Sequence, residues 1–243
     1  MARTDSGAAT HVGRRPNNED ASCSLPDLGF FAVADGLGGH EGGEVASKLV
    51  LRTVADFLAT EEPGRPSEPE SLLTQGIRLA QHAVRTEQSG ALSMMASTIT
   101  AALVRNGDAV VCNLGDSRTF LVRGDEVRRL TKDHTVLAEM EEAGLDTKNP
   151  FAAMHRNSLT GAVGMDASVD AECSRLSLRQ GDVLVLCSDG LYEPVRPDVM
   201  RQLVAQGGTA QEMAERLVAE AYKRGGTDNI TAVVVRVLDV GNS

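Results

Sequence analysis

Apolar residues along this chain fall in short blocks whose period changes several times, and the changes mark out its elements. Residues 8–12 and 29–35 read as strands, after a short polar leader. The second of them, Gly29-Phe30-Phe31-Ala32-Val33-Ala34-Asp35, is almost wholly apolar and ends on a carboxylate. Residues 45–59 then carry Val45, Leu49, Val50, Val54 and Leu58 at helical spacing, with Glu41 and Glu44 near the end where a helix dipole favours anions. Residues 61–69 are charged and proline-rich, which breaks both periods and predicts a surface connection to a second helix over 70–87.

Beyond Ser89 the spacing predicts an antiparallel meander with strands at 98–105, 109–113, 119–122 and 127–130, joined by Asn106-Gly107 and Gly124-Asp125 turns. A short helix is expected over 134–143. Residues 144–158 have weak periodicity and mix Gly, Asn, Pro and Lys, so 133–158 reads as a surface flap. Strands resume at 174–178 and 183–188, and helices over 197–205 and 210–223 precede a last strand over 230–238. Strands and helices come in blocks and not in strict βαβ alternation, so the class is α+β, with antiparallel sheets covered by helices. One domain over 1–243 is the expectation.

Composition narrows the function. Thirty-four acidic against 24 basic side chains give a net charge of −10, which repels a nucleic-acid backbone. No apolar run reaches the roughly 18 residues of a membrane span, and the first residues lack a signal-like apolar stretch, so the expectation is a cytoplasmic protein without membrane insertion. Cys23, Cys112, Cys173 and Cys187 are scattered without metal-ligand spacing and read as buried free thiols. The absence of Trp and 3% aromatic content argue against base-stacking or carbohydrate surfaces.

Four segments place a carboxylate at a strand end or a glycine turn: Asn18-Glu19-Asp20, Asp35-Gly36-Leu37-Gly38-Gly39-His40, Ser188-Asp189-Gly190 and Thr227-Asp228-Asn229. A single Asp-Gly is most simply a turn. An aspartate ending a buried strand, however, carries a desolvation cost that a cation offsets, and several of them suit a hard ion such as Mg²⁺ or Mn²⁺. Glycine beside the carboxylate lets a backbone carbonyl or a water approach closely.

In combination these runs resemble the metal-dependent protein phosphatase family of type 2C, in its compact bacterial form. The matching residues are Gly13-Arg14-Arg15-Pro16-Asn17-Asn18-Glu19-Asp20, Ala34-Asp35-Gly36-Leu37-Gly38-Gly39-His40 with Gly43-Glu44, and Leu114-Gly115-Asp116-Ser117-Arg118. They continue through Leu130-Thr131-Lys132-Asp133-His134, Leu159-Thr160-Gly161-Ala162-Val163-Gly164, Cys187-Ser188-Asp189-Gly190-Leu191 and Thr227-Asp228-Asn229-Ile230-Thr231, in the family's order over nearly the whole chain. The resemblance implies a sandwich of two antiparallel sheets flanked by helices on both sides (αββα), two bound Mn²⁺ or Mg²⁺ ions and a third, weaker one. It implies that Asp35 bridges the two metals, that Asp20 and the Gly36 carbonyl complete one shell, and that Asp189 with Asp228 holds the other. Asp116 would bind the third metal together with Asp189. Arg15 would clamp the phosphoryl oxygens, with Arg14 as the alternative, since adjacent arginines are not separable without geometry. The implied reaction is direct hydrolysis of phosphoserine and phosphothreonine by a water activated between metals about 3.5–4 Å apart.

Implied partners are phosphorylated proteins, a bacterial Ser/Thr kinase and its substrates, including kinases governing type VI secretion, with the chain acting as a monomer. Two other readings stay open: a binding module of the same fold without turnover, and a phosphatase dedicated to one regulatory phosphoprotein. The chain departs from larger family members at Leu37, where they carry a histidine, leaving His40 or a metal-bound water to protonate the leaving group. Ala96 stands where the family usually has glycine and reads as structural. His11, His82, His134 and His155 read as surface or packing residues, His134 as a flap anchor, Met94 and Met95 as core filler, and Arg118 and Arg156 as surface or structural.

Overall fold

The structure is a computed structural model that describes residues 3–38, 42–60, 68–165 and 170–240. His40 and most of the expected 61–69 connection lie outside the described residues. The chain begins with β1 (Arg3–His11), β2 (Asp20–Leu25) and β3 (Phe30–Leu37), followed by two long helices, α1 (Gly42–Ala59) and α2 (Pro69–Glu87). A meander comes next: β4 (Ala96–Ser97), β5 (Ile99–Arg105), β6 (Asp108–Leu114), β7 (Arg118–Arg123) and β8 (Glu126–Arg129). Short helices α3 (Val136–Glu142) and α4 (Pro150–Met154) lead to β9 (Glu172–Ser177) and β10 (Val183–Cys187). Helices α5 (Asp189–Tyr192), α6 (Pro197–Ala205) and α7 (Ala210–Lys223) precede the last strand, β11 (Ile230–Asp239).

One five-stranded sheet has the order β1-β11-β10-β7-β8, and a second has β2-β3-β5-β6-β9 with β4 added beside β3. Alternation along the strands explains why two sheets pack into four layers. In β3, Phe30, Ala32 and Ala34 face α1 and α2, whereas Phe31 and Val33 face the other sheet. In β10, Leu184 and Leu186 enter the inter-sheet core while Val183, Val185 and Cys187 meet α6 and α7. Strands covered on both faces must be apolar at nearly every position, which is why these runs are continuous in the sequence. Phe31, with no exposed surface, contributes roughly 1.5–3 kcal/mol by its burial alone.

Helix α7 starts where its sequence says it should. The Thr209 hydroxyl accepts from the Glu212 amide, and the Glu212 carboxylate accepts from the Thr209 amide at 2.7 Å.

Several differences from the sequence expectations have physical causes. β1 begins at Arg3, well before the expected residue 8, because its polar residues are held by backbone pairing with β11 and by the Asp5 carboxylate, which accepts from the Ala210 amide. β2 was not expected at all: Asp20-Ala21-Ser22-Cys23-Ser24-Leu25 is an edge strand with little apolar signal. Cys112 and Cys173 form a disulfide, correcting the reading of four free thiols; they lie directly opposite each other on β6 and β9, a proximity their separation of 61 residues hides. Met95 is fully buried as expected, but Met94 is 78% exposed and is no core filler, since the turn entering β4 directs the two side chains differently. The flap also holds a second helix, α4, whose Asn149 cap accepts from the Ala152 amide.

Candidate active site

The site is built where the strands of both sheets end together. Asp20 and Asp35 face each other across the β2–β3 pair, each in register with the other. Asp35 is inside β3 and not at its end, and its backbone is pinned: its amide donates to Thr98 Oγ1 at 2.9 Å, and its carbonyl accepts from the Thr98 amide and the Ser97 hydroxyl. From the opposite sheet, Asp189 starts α5 directly after β10, Asp228 precedes β11, and Asp116 occupies the turn between β6 and β7. Arg15, Asp35, Gly36, Asp116, Asp189 and Asp228 line one open cavity of about 370 Å³. Asp20 does not line it; the residue is buried, and its Oδ2 accepts from the Ser188 hydroxyl at 2.7 Å.

Burial and mutual repulsion dominate the electrostatics. Burial, opposed by the Ser188 and Thr231 hydroxyls, pushes the Asp20 carboxyl up to about 6. Burial and then Asp20, Asp189, Asp116 and Asp228 raise Asp35 well above the carboxylate range. Asp116 is pushed to about 6 by burial and Asp133, and Asp189 to about 8 by burial and Asp116. Each of these groups loses solvent and gains negative neighbours at once.

Two carboxylate oxygens, Asp20 Oδ1 and Asp189 Oδ1, are buried with no hydrogen-bond partner among the described residues. Both oxygens of Asp228 are engaged, Oδ2 by Arg15 at 2.7 Å and Oδ1 by the Asn229 amide at 2.8 Å. Among the described residues no three Asp, Glu, His or Cys side chains are gathered tightly enough to enclose one ion. The donor chemistry nevertheless fits a hard divalent cation. Orphaned, buried carboxylate oxygens that repel one another are what such an ion takes up, and an all-oxygen set selects Mg²⁺ or Mn²⁺ over zinc.

Arg15 reaches the cavity from the loop between β1 and β2, whereas the exposed Arg14 does not line it. The loop turns at Gly13, whose φ of +64° and closeness to the Asp228 carbonyl, 1.8 Å from where a Cβ would sit, admit only glycine. Glu19, Asn17, Asn157 and Asn229 also line the cavity; Asn17, Glu19 and Asn229 stand in the motif runs, but none was given a role of its own from sequence. The acidic spacing drew attention to carboxylates and gave no signal for amides.

The flap is rooted beside the site. His134 and Gly115 are joined twice, through the His134 amide to the Gly115 carbonyl and the Gly115 amide to His134 Nδ1, both at 3.0 Å. Burial lowers the imidazole's pKa, which suits a neutral ring with Nδ1 as acceptor. Arg118 is structural: its guanidinium grips Asp133 with two nitrogens and stacks 3.8 Å over the Tyr192 ring. Arg156 is exposed and borders a smaller neighbouring cavity of about 220 Å³. His11 stacks on Tyr222, and His155 packs on Phe151.

The model of the family described as Protein phosphatase 2C matches residues 8–223. The serine/threonine phosphatase stp of Listeria innocua is 30% identical over 240 residues, covering 96% of this chain and 93% of that protein. PstP of Mycobacterium tuberculosis is 34% identical over 98% of this chain, which spans 45% of that longer protein. Among solved structures, the catalytic domain of PstP in complex with two manganese ions superposes with a TM-score of 0.84 at 32% identity, over 97% of this chain and 99% of that one. PppA, described as a key regulatory component of T6SS in Pseudomonas aeruginosa, gives a TM-score of 0.84 at 31% identity over 97% of this chain and 98% of that one. With two helix-flanked antiparallel sheets, acidic residues gathered where both sheets end, and a match running from β1 to the end of α7, this chain is a phosphatase of the protein phosphatase 2C family.

Proposed function

We propose that the chain removes phosphate from phosphoserine and phosphothreonine in proteins, with Asp20, Asp35, Asp189, Asp228 and the Gly36 carbonyl holding two divalent cations and Asp116 serving a third with Asp189. The observation that carries this reading is the pair of orphaned, buried oxygens of Asp20 and Asp189 beneath a cavity that Arg15 rims. Manganese or magnesium, when bound, supplies an activated water and neutralises phosphoryl charge.

The chain's own residues supply position. Asp35 and Asp20 are fixed by strand pairing and Asp189 by the start of α5, so their oxygens need no reorganisation as charge develops. Arg15 uses one nitrogen on Asp228 and keeps the remaining donors of its planar fork for phosphoryl oxygens. The cavity is open enough for a side chain carried on a folded protein. The flap at 133–158 stands at its edge through Asn157, where it meets the residues around the phosphorylated position.

The test is hydrolysis of p-nitrophenyl phosphate and a phosphothreonine peptide with Mn²⁺, with EDTA, and in Asp35→Asn and Asp189→Asn. Turnover that requires metal and collapses in both variants supports the reading; folded wild-type protein inactive on both substrates with Mn²⁺ overturns it. The finer reading is that the enzyme reverses a bacterial Ser/Thr kinase, and the likeness to PppA supports a role beside type VI secretion. Loss of the gene raising phosphothreonine on one kinase and its substrates is the expected outcome.

A further inference from the structure

The loop that carries Arg15 has little of its own to hold it. Residues 12–16 are exposed or half-exposed, and the Arg15 side chain is 57% exposed. Its one internal backbone bond, from the Arg15 amide to the Val12 carbonyl, is long at 3.4 Å. A clamp on such a loop would spend binding energy on ordering itself each time phosphate arrived.

Beside local bonds from the Gly13 amide to His11 Nδ1 and from Asn17 Nδ2 to Glu19, both ends of the loop are tied by one side chain across the site. Asn229 is buried, and its Nδ2 donates to the Val12 carbonyl and to the Asn17 carbonyl, both at 2.9 Å. Its Oδ1 accepts from the Glu19 amide at 2.8 Å. Two donated bonds and one accepted bond determine which end of the amide is nitrogen, because two carbonyls can be met only by N–H. The amide therefore ties the entrance of the Arg15 loop to its exit, closing residues 13–16 into a fixed arch.

Asn229 is itself immobilised. Its amide donates to Asp228 Oδ1 at 2.8 Å, its carbonyl lies 2.0 Å from where a Cβ on Gly190 would sit, and β11 begins at the next residue. Two consecutive residues thus act on the clamp, Asp228 through the guanidinium and Asn229 through the loop.

We propose that Asn229 is a positioning residue for phosphate binding, acting through Arg15 by holding the 12–19 loop in its closed form. This rests on the reading of Arg15 as the phosphate clamp. Asn229 touches no reacting atom in this role, so its removal weakens phosphate binding without changing what holds the metal.

The experiment is a double-mutant cycle with Mn²⁺-loaded enzyme in wild type, Arg15→Ala, Asn229→Ala and the double variant. It measures KM and kcat for a phosphothreonine peptide and inhibition by inorganic phosphate. Amide exchange across residues 12–19 and calorimetric Mn²⁺ binding are followed alongside. Asn229→Ala is expected to raise KM and the phosphate inhibition constant about tenfold, with Mn²⁺ affinity within about twofold of wild type. Exchange at the Glu19 amide quickens, and the double variant is no weaker than Arg15→Ala alone. Asn229→Ser, which keeps one hydrogen-bonding group, falls between wild type and Asn229→Ala and serves if the alanine variant does not fold. Effects that multiply in the double variant, unchanged exchange at Glu19, or Mn²⁺ affinity falling in step with activity overturn the inference while leaving the clamp intact. An Arg15→Ala variant with unaltered KM and phosphate inhibition overturns the clamp and this inference together.

Discussion

The floor and the rim of the site are made of opposite materials. The floor is aspartate set into strand pairs and an element start: Asp20 is almost fully buried and Asp35, Asp189 and Asp116 are largely so, with carboxyls raised by burial and by each other. The rim is polar and more exposed: Arg15 is tied by hydrogen bonds from across the site, and Asn157 of the flap stands at the cavity's edge, with Arg156 beside it at the neighbouring cavity. The floor destabilises the folded chain and gains from a counter-charge; the rim costs little and adapts to a substrate. Function is concentrated where the fold is electrostatically least content, as expected when a site is arranged for a ligand rather than for stability.

The contrast is broken most severely by neutralising the floor. Asp35→Asn is expected to lower kcat/KM by about 10³-fold, since it removes a charge at the centre of the site. In EDTA the same variant should unfold at a higher temperature than wild type, because Asp35 is raised by burial and by four carboxylates. Kinetics and thermal unfolding of one preparation read both signs, and a variant less stable in EDTA would sink the account of the floor.

Next in size is the scaffold under Asp116. Reducing Cys112–Cys173, whose separation is 61 residues, should lower unfolding free energy by about 3–4 kcal/mol, measured by urea titration with and without dithiothreitol.

The floor also sets a pH dependence. Folded Asp20 and Asp116 sit at about 6 and Asp189 at about 8, above their unfolded values, so the folded chain keeps protons that the unfolded chain has released. Stability in EDTA should therefore be greatest below about pH 4 on account of these groups and fall as pH rises, through Asp20 and Asp116 up to about 6 and through Asp189 up to about 8. Excess Mn²⁺ should flatten the profile, because it binds the ionised form. Stability in EDTA that rises over that range would contradict the assignment.

The smallest effect belongs to the flap. Arg156→Ala, exposed on the flap, should change KM for p-nitrophenyl phosphate by less than about threefold. A larger change would move the flap from substrate contact into the chemistry.

Much of this was legible in one dimension. The apolar runs of β3, β10 and β11 announced strands, the helical spacing over 210–223 announced α7, and the carboxylates at strand ends and glycine turns announced the candidate ligands. Less was legible at the edges. β1 from Arg3 and all of β2 are polar strands held by backbone pairing, which leaves no periodic trace. Asp20 was marked by its motif, but nothing in the motif said that its strand partner would be Asp35.

The sequence by itself determined the elements with a covered face and the kinds of group available for chemistry, because burial on one or two faces imposes a period that can be read along the chain. Only the tertiary structure decided which groups meet. It set Cys112 against Cys173, turned Met94 outward while burying Met95, and brought the Asn229 amide onto Val12, Asn17 and Glu19 across more than 200 positions. The physical reason is that a hydrogen bond or a disulfide depends on register and direction to within a few tenths of an ångström. Hydrophobic patterning, which is non-directional, leaves both unspecified.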